Sequence, residues 1–332
     1  MKKSILLIAV ISIIIIMIEI INFFVTLAGM ILMKIKMSKK LYIGLAFLIL
    51  AIAATSVYIY IYIYTRSGHT AIPVHAPHSI SEISERIPVL TYHSIMSREF
   101  YYPIHTENPM ILLDETFYEQ MRYLFDNDFT PLTTEQLIEF LFYDGELPQN
   151  PVIITFDDGY LDNYLFAAPI LRQFGFTGMQ FLITSDIPES TQTMTAHPMR
   201  YMSETEILNS VDVFEFGSHT HDMHHFVNGV SILQSASVED ILGDLTLSFD
   251  SPLTFRTGFA YPYGRYSDNA MAALRAAGVR FAFTTRLGYV YRDTNPLLLP
   301  RFSMEPHITH EMFSDIVWGR ASYPFSQYYN GN

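Results

Sequence analysis

The chain has 332 residues, a formal net charge of −13 at pH 7 and no cysteine. A chain without cysteine has no disulfide, thiol nucleophile or Cys-ligated zinc site, so any transition-metal site must use histidine and carboxylate ligands. All six lysines lie in the first 40 residues, whereas residues 65–332 contain 14 Arg and 32 Asp and Glu residues. A surface this acidic argues against nucleic-acid binding.

Two apolar stretches open the chain, at about residues 5–33 and 41–64. Each exceeds the roughly 20 residues that a helix needs to cross a bilayer core, and neither has the polar face of a soluble core helix. The loop between them is basic, which by the positive-inside rule places it in the cytoplasm; its lysines are Lys34, Lys36, Lys39 and Lys40. We therefore predict an N-terminal membrane region, residues 1–64, in the cell membrane, with the rest of the chain extracellular.

Two further features concern the ends of this region. Met37 starts the run MSKKLY, which resembles the beginning of a signal anchor, a short basic region before an apolar run. Residues 1–36 are therefore either a genuine first span or the product of an upstream start codon. Residues 65–86 carry Ser, His and Pro with weak periodicity and are predicted to be a linker. A globular domain, residues 87–332, follows.

The globular domain begins with a predicted strand at residues 87–92 that ends at His93. A histidine in this position is either a packing residue or part of a site. Apolar residues at helical spacing then predict helices at 117–125 and 134–142. Thr133 and Thr134, with Glu135 and Gln136 behind them, predict an N-terminal cap for the second helix.

Residues 151–160, PVIITFDDGY, predict a buried strand of the kind found in parallel sheets. Asp157 and Asp158 follow this strand, and Gly159 then permits a sharp turn. Two adjacent Asp side chains cannot both be buried and ionised unaided. A metal bound to one carboxylate would solve this and leave the other free as a base. The alternative interpretation is a strand followed by an ordinary Asp-Gly turn.

After the two carboxylates, helices and strands alternate. The pattern predicts helices at 163–174, 204–210, 238–247 and 267–277, and strands at 178–184, 213–217, 257–261, 281–285 and 297–303. Regular alternation of this kind implies an α/β fold with parallel strands, either an open sheet or a barrel. The polar residues that could take part in catalysis or metal binding all follow strands, where both architectures place their active sites.

A histidine cluster follows the strand at 213–217 and contains His219, His221, His224 and His225. Imidazole is a common ligand of zinc-like ions, and two histidines with one aspartate form a three-ligand site that leaves positions for water. The alternative is a solvated histidine-rich loop that binds metal without catalysis.

Three motifs occur in an order that resembles the polysaccharide deacetylases, the carbohydrate esterase family 4 with the NodB homology domain: TFDDG (155–159), GSHTHDMH (217–224) and YPYG (261–264). The resemblance covers roughly residues 87–303. It implies a distorted (β/α) barrel and a divalent metal, with zinc expected and cobalt or nickel as alternatives. It also implies removal of N-acetyl groups from sugar polymers.

By position, Asp157 resembles the family's catalytic base, and Asp158 and His219 resemble metal ligands. The common family spacing would place the second histidine ligand at Met223, which cannot replace an imidazole. His224 fits the longer spacing of the biofilm poly-N-acetylglucosamine deacetylase branch, which the runs YHS (92–94) and PRF (300–302) also resemble. We therefore predict Asp158, His219 and His224 as metal ligands, with His221 and His225 as neighbours or substrate contacts.

The resemblance further suggests oxyanion or substrate contacts from Tyr263, Arg301 and His93. Two family features are missing: Ala260 occupies the position of the arginine that pairs with the catalytic Asp, and no L-x-H motif supplies a general acid. Arg301 could replace that arginine, and His93 or His307 could act as the acid.

We predict metal-dependent N-deacetylation of an extracellular N-acetylglucosamine-containing polysaccharide, such as poly-N-acetylglucosamine, peptidoglycan or a chitin-like polymer. The alternative is a membrane-anchored carbohydrate-binding protein with a degenerate deacetylase site.

Overall fold

The computed structural model describes residues 86–101, 108–195, 199–250 and 253–321. The predicted spans at 5–33 and 41–64, and the linker apart from Arg86, lie outside the described residues. Within the four described ranges, no helix has the length and apolar character needed to cross a membrane.

The described part of the chain contains short strands, all of six residues or fewer, as follows: β1 Arg86–Ile87, β2 Val89–Tyr92, β3 Ser94–Met96, β4 Ile111–Leu113, β5 Thr130–Pro131, β6 Pro151–Phe156, β7 Gly178–Leu182, β8 Phe214–Ser218, β9 Phe226–Val227, β10 Val230–Ser231, β11 Gly258–Ala260, β12 Phe281–Phe283, β13 Val290–Tyr291 and β14 Phe302–Ser303. Its α-helices are α1 Arg98–Tyr101, α2 Asp114–Asp126, α3 Thr134–Phe142, α4 Ala168–Phe174, α5 Glu204–Leu208, α6 Ile232–Ser235, α7 Val238–Asp250, α8 Asp268–Ala277 and α9 His310–Val317.

The main sheet has the strand order β12-β11-β8-β7-β6-β2-β14, with β5 beside the start of β6. Every pairing along this order is parallel, as the strand–helix alternation predicts. Phe302 pairs with Leu90 at one end of the order, while Leu299 forms a parallel bridge to Phe283 at the other end. Residues 299–303 therefore join both ends of the curled sheet, which fits the predicted distorted (β/α) barrel.

The central strand β6 packs into two apolar clusters by alternation of its side chains. Ile153 belongs to a cluster built from neighbouring strands, which includes Met179, Phe181, Ala260 and Phe283. Its neighbours in β6 belong to a second cluster that extends to helices α2 and α4, including Val152, Ile154, Phe156, Phe117, Met121 and Leu171. Because both faces of β6 are covered, all six of its residues are buried, which explains its continuous apolar sequence.

Local sequence signals predicted the ends of several helices correctly. Helix α3 begins at Thr134, and Thr133 forms a capping box with Gln136 at its start. The predicted helix at 163–174 is present, although its first part, Asn163–Ala167, is a π-helical turn before α4. It ends as predicted at Gly175, which has φ 67°.

The predicted strand at 297–303 is wrong over most of its length. Pro296 opens a short 3-10 turn, Pro296–Leu298, and the strand β14 contains Phe302 and Ser303 alone. Proline has no N–H for a sheet ladder and its fixed φ suits a turn. Arg301 therefore precedes a strand instead of lying within one. Helix α9 and the β9–β10 hairpin were not predicted from the sequence.

Candidate active site

The two adjacent aspartates leave β6 in different directions because the chain turns sharply there. The N–H of Asp157 still donates to the carbonyl of Tyr92, as a continuation of the sheet. Asp158 has φ 70° and Gly159 has φ 84°, a left-handed conformation that a short polar residue or glycine tolerates. A side chain at Gly159 would also lie 2.8 Å from a Leu182 methyl carbon, so this turn requires glycine.

Asp157 is paired with Arg301, and both side chains are buried. Two nitrogens of the guanidinium donate to the two carboxylate oxygens, at 2.8 Å and 2.7 Å. Arg301 also donates from Nε to the carbonyl of Thr284 at 2.9 Å and contacts the Thr155 hydroxyl at 3.3 Å. Burial alone would raise the pKa of Asp157, but the charge and hydrogen bonds of Arg301, together with the charges of His219 and His93, outweigh it and keep that pKa below its usual value.

Arg301 pairs with Asp157 although Ala260 occupies the position where the family resemblance would place an arginine. The arginine that the family places at that position is supplied here from residues 299–303, the segment that joins the two ends of the sheet. With its guanidinium bound to Asp157 and 1% of the residue exposed, Arg301 is a partner of the carboxylate. Its burial gives no support to the other prediction for it, a substrate or oxyanion contact.

Asp158 lies between two imidazoles. Its Oδ1 atom is 3.4 Å from Nε2 of His219 and 3.3 Å from Nε2 of His224. The three side chains offer ligand atoms that all lie within 4.8 Å of one another. Asp158 and His219 are buried and His224 is half-buried. The structure therefore brings together the three residues predicted to hold a metal.

The outer nitrogens of both imidazoles are already used. His219 Nδ1 is 2.7 Å from the carbonyl oxygen of Ala260, which can only accept, so Nδ1 carries the proton. The Tyr263 hydroxyl donates to the carbonyl of His224 at 3.0 Å, and its oxygen is 3.2 Å from His224 Nδ1. Since that hydroxyl proton is committed, Nδ1 of His224 is the donor. Nε2 of each ring then faces Asp158, the orientation that partners of metal-bound histidines impose.

The electrostatics of the cluster follow from burial and proximity. Burial opposes charge on Asp158, yet the hydrogen bond with His219 and the charge of His93 hold its pKa well below the usual value. Burial, together with the charge of His219, lowers the pKa of His224 to about 4, so its imidazole is neutral near pH 7. For His219, burial is outweighed by the bond to Asp158 and the charge of Asp157, and its pKa is raised.

This donor set suits a divalent metal. One carboxylate and two imidazole nitrogens provide three protein ligands, the number typical of catalytic zinc sites, which keep a position for water. A chain without cysteine has no softer ligand to compete.

The remaining histidines of the cluster point elsewhere. The loop after β8 is held by Asp244 of α7, whose carboxylate accepts from the N–H groups of His221 and Asp222, each at 2.8 Å. His221 Nδ1 lies 2.9 Å from the Thr184 hydroxyl, and Met223 packs against an apolar cluster. Among the described residues, neither His221 nor His225 belongs to a three-ligand group.

Tyr263 borders the cluster from the YPYG turn. It has φ 57°, and its ring lies 4.5 Å from the His224 ring between centroids. A side chain at Gly264 would come within 2.1 Å of the Thr285 hydroxyl oxygen, so glycine is needed there. His93 lies close enough for its charge to lower the pKa values of Asp157 and Asp158. His307 instead lies 3.3 Å from Glu305.

Several residues around the cluster escaped the sequence analysis. Asp244 looks like an ordinary acidic residue of an amphipathic helix, and no local pattern marks it. Tyr160 follows the TFDDG motif directly and hydrogen-bonds to Asp158, and its ring lies 5.3 Å from that of Tyr201. The adjacency of Tyr160 to the motif was the one available signal.

Known proteins resemble this chain in sequence and in fold. The sequence model of the polysaccharide deacetylase family matches residues 144–282. YxkH of Bacillus subtilis (strain 168), whose name assigns it provisionally to the polysaccharide deacetylases, is 30% identical over 238 residues, which is 71% of this chain and 78% of YxkH. The poly-beta-1,6-N-acetyl-D-glucosamine N-deacetylase of Staphylococcus aureus (strain MRSA252) is 32% identical over 195 residues, 56% of this chain and 64% of the relative.

Solved structures share the fold. The deacetylase PplD of Streptococcus pyogenes, solved in complex with acetate, superposes with a TM-score of 0.60 at 23% identity and covers 70% of this chain and 98% of its own. IcaB from Ammonifex degensii superposes with a TM-score of 0.59 at 22% identity, over 71% and 98% of the two chains. Together with the sequence matches, they show that the chain belongs to the polysaccharide deacetylase family, whose members are hydrolases of carbon–nitrogen bonds.

Proposed function

We propose that this protein removes N-acetyl groups from an extracellular polysaccharide that contains N-acetylglucosamine, and that the reaction depends on a divalent metal. The main support for the proposal is that the two adjacent carboxylates at one turn lie in different environments. Asp158 faces two imidazole nitrogens, whereas Asp157 faces a guanidinium. A ligand carboxylate and a separate ionised base are what metal-assisted amide hydrolysis requires.

Asp158, His219 and His224 would hold the metal, with zinc expected and cobalt or nickel as alternatives. A metal at this position supplies Lewis-acid chemistry, polarising the acetamide carbonyl and lowering the pKa of a water molecule.

Asp157 takes the role of general base. Each of its oxygens accepts one bond from Arg301, and because a carboxylate has about four lone-pair sites, each oxygen keeps one for the proton of the attacking water. Arg301 keeps the carboxylate ionised and fixes its orientation. The proton must then reach the departing amine of the sugar, so that acetate and a glucosamine unit are released.

His93 is the candidate we favour for the proton donor. Its charge reaches both aspartates, and its backbone carbonyl is fixed by the side-chain amide of Asn163 at 2.7 Å. His307 lies against Glu305. Tyr263, whose ring borders His224, is proposed to contribute its backbone N–H to the oxyanion.

Poly-β-1,6-N-acetylglucosamine is the substrate we propose to test first. The Staphylococcus aureus relatives are named for this polymer, and IcaB is among the solved neighbours. Peptidoglycan and chitin-like polymers are the alternatives. The external location rests on the lysines between the two apolar stretches of the sequence.

Acetate release by the full chain in detergent tests the proposal, with the three polymers as substrates. We expect release to stop after chelation and to return with added zinc, cobalt or nickel. His224→Ala should lose metal content and activity, whereas His225→Ala, a matched control at an adjacent residue outside the three-ligand group, should keep both. Metal retention in His224→Ala would show that the ligand set is wrong.

Asp157→Asn distinguishes the proposed role of Asp157 from that of Asp158. It should keep its metal, as measured by elemental analysis, yet lose on the order of 10²–10⁴ in rate, which is the usual contribution of general acid–base catalysis. Full activity in this variant would overturn the role of Asp157.

A further inference from the structure

An exposed apolar hairpin lies beside the site and plays no part in the mechanism above. Strands β9 and β10 pair antiparallel across the Asn228–Gly229 turn. Phe226 is 49% exposed, and Val227 and Val230 are exposed to similar degrees. Clusters of exposed apolar side chains of this kind mark interaction surfaces.

Aromatic and imidazole rings connect this hairpin to the candidate metal ligands. The ring centroids of His219 and His224 are 4.9 Å apart, those of His224 and Tyr263 are 4.5 Å apart, and those of Tyr263 and Phe226 are 4.4 Å apart. Exposure rises along the row, from 20% of the His224 side chain to 38% of Tyr263 and 49% of Phe226. A ligand in contact with Phe226 and Tyr263 would therefore continue directly to the reacting position.

Contacts within the chain hold Tyr263 and the backbone of the hairpin, and the Phe226 ring packs on Tyr263. Tyr263 sits on a left-handed backbone that Gly264 supports, and its hydroxyl is bound to the carbonyl of His224. The hairpin is tied back by the N–H of Ile232, which donates to the carbonyl of His225 at 3.2 Å. Rings that are already ordered cost little conformational entropy when a ligand stacks on them.

We propose that Phe226 and Tyr263, flanked by Val227 and Val230, form a platform that binds the sugar ring next to the unit being deacetylated. The inference rests on the proposed function and names how the site holds a polymer. A pyranose ring is amphipathic, with an apolar face for the aromatic rings and hydroxyl groups at its edge, so it suits a surface that is apolar and yet solvent-exposed.

The surrounding charge favours a sugar over a lipid surface. Residues 217–231 contain no Lys or Arg, whereas surfaces that bind anionic membranes carry basic residues around their apolar side chains. The acidic character of residues 65–332 would add repulsion from such a membrane. Those same acidic residues would attract a polymer whose units become cationic amines.

Dependence of the reaction on chain length tests the platform. For the full chain in detergent, we compare kcat/KM on the hexamer and the dimer of β-1,6-linked N-acetylglucosamine. Phe226→Ala should reduce the hexamer-to-dimer ratio about 3- to 10-fold, the range expected for one lost aromatic contact. Phe226→Tyr should restore the ratio, and Phe226→Leu, apolar but without a ring, should not.

Phe125→Ala is the matched control, because Phe125 is also exposed, at 52%, and also packs on another ring, that of Phe174. It should leave the ratio unchanged. An unchanged ratio in Phe226→Ala, or an equal loss on both substrates, would overturn the platform. Full restoration by Phe226→Leu would do the same and point to a purely apolar partner such as a membrane.

A measurement of binding without turnover tests this inference independently of the proposed function. Calorimetric titration of the hexamer into Asp157→Asn, with and without Phe226→Ala, measures the platform even if no acetate is released. Weaker binding in the double variant supports the platform whatever the reaction is. Equal binding would refute it, and absence of acetate release by the unmodified chain from every polymer would refute the proposed function instead.

Discussion

The buried pair of Asp157 and Arg301 makes the stability of this chain sensitive to a single residue. Arg301→Met would leave the carboxylate buried without a partner, and breaking such a pair typically costs on the order of 3–5 kcal/mol in the free energy of unfolding. We expect a clear drop in melting temperature for Arg301→Met. Adding Asp157→Asn to it should recover much of the loss, since no isolated charge remains. If the double variant melts as low as Arg301→Met, the loss comes from packing instead of charge.

Asp162 is a second buried carboxylate, and it should make stability depend on pH. Burial is the main cause that raises its pKa to about 7, although the Ser94 hydroxyl donates to it. Between about pH 4 and pH 7 the folded chain therefore holds a proton that the unfolded chain has lost, so this residue makes stability fall as pH rises through that window. Asp162→Asn cannot lose the proton, and its melting temperature relative to the unmodified chain should rise from pH 4.5 to pH 7.5. A difference that does not change with pH would contradict the assignment.

The YPYG turn positions Tyr263 and depends on Gly264. Gly264→Ala would combine a left-handed backbone with a collision against Thr285, whereas Gly278→Ala, at φ 86°, has no atom within 4 Å of the new methyl group. We expect Gly278→Ala to cost about 1–3 kcal/mol of stability from backbone strain alone and to keep its activity. Gly264→Ala should cost more and lose most acetate release, because it displaces the ring beside His224. Equal effects of the two substitutions would show that the collision is relieved without moving Tyr263.

Elements with local signals were predicted well from sequence. Helix α3 shows its cap in Thr133 and Gln136, and β6 shows its burial in its β-branched run. The carboxylates and histidines of the candidate site were found because each follows a strand, and parallel strands bring such residues together. Arg301 was a candidate partner of Asp157 through the family resemblance, but the two residues are 144 positions apart and no local pattern encodes their contact. The same holds for Asp244, and for the hairpin, whose exposed Phe226 looks like an ordinary apolar residue in the sequence.

For the whole molecule, the site lies where the curled sheet brings strand ends together, and residues 299–303 serve two purposes at once. They bridge the two ends of the strand order, and they place Arg301 against Asp157. Closure of the sheet and ionisation of Asp157 are thus linked through five residues. A disturbance of this segment is expected to affect folding and catalysis together, whereas His224 lies outside this segment.

The predicted orientation in the membrane rests on the uneven distribution of basic residues, which also supplies its test. Residues 65–332 contain 14 Arg and no Lys, whereas Lys34–Lys40 lie between the predicted spans. If the loop is cytoplasmic and the domain external, an arginine-specific protease added to intact protoplasts should digest the domain. A lysine-specific protease should leave the loop uncut until the cells are lysed, and should then cut between the two predicted spans. Because the two enzymes act on separate parts of the chain, the reverse orientation would give the reverse pattern. Cleavage of the loop in intact protoplasts, together with protection of the domain, would overturn the external location and with it the proposed extracellular substrate.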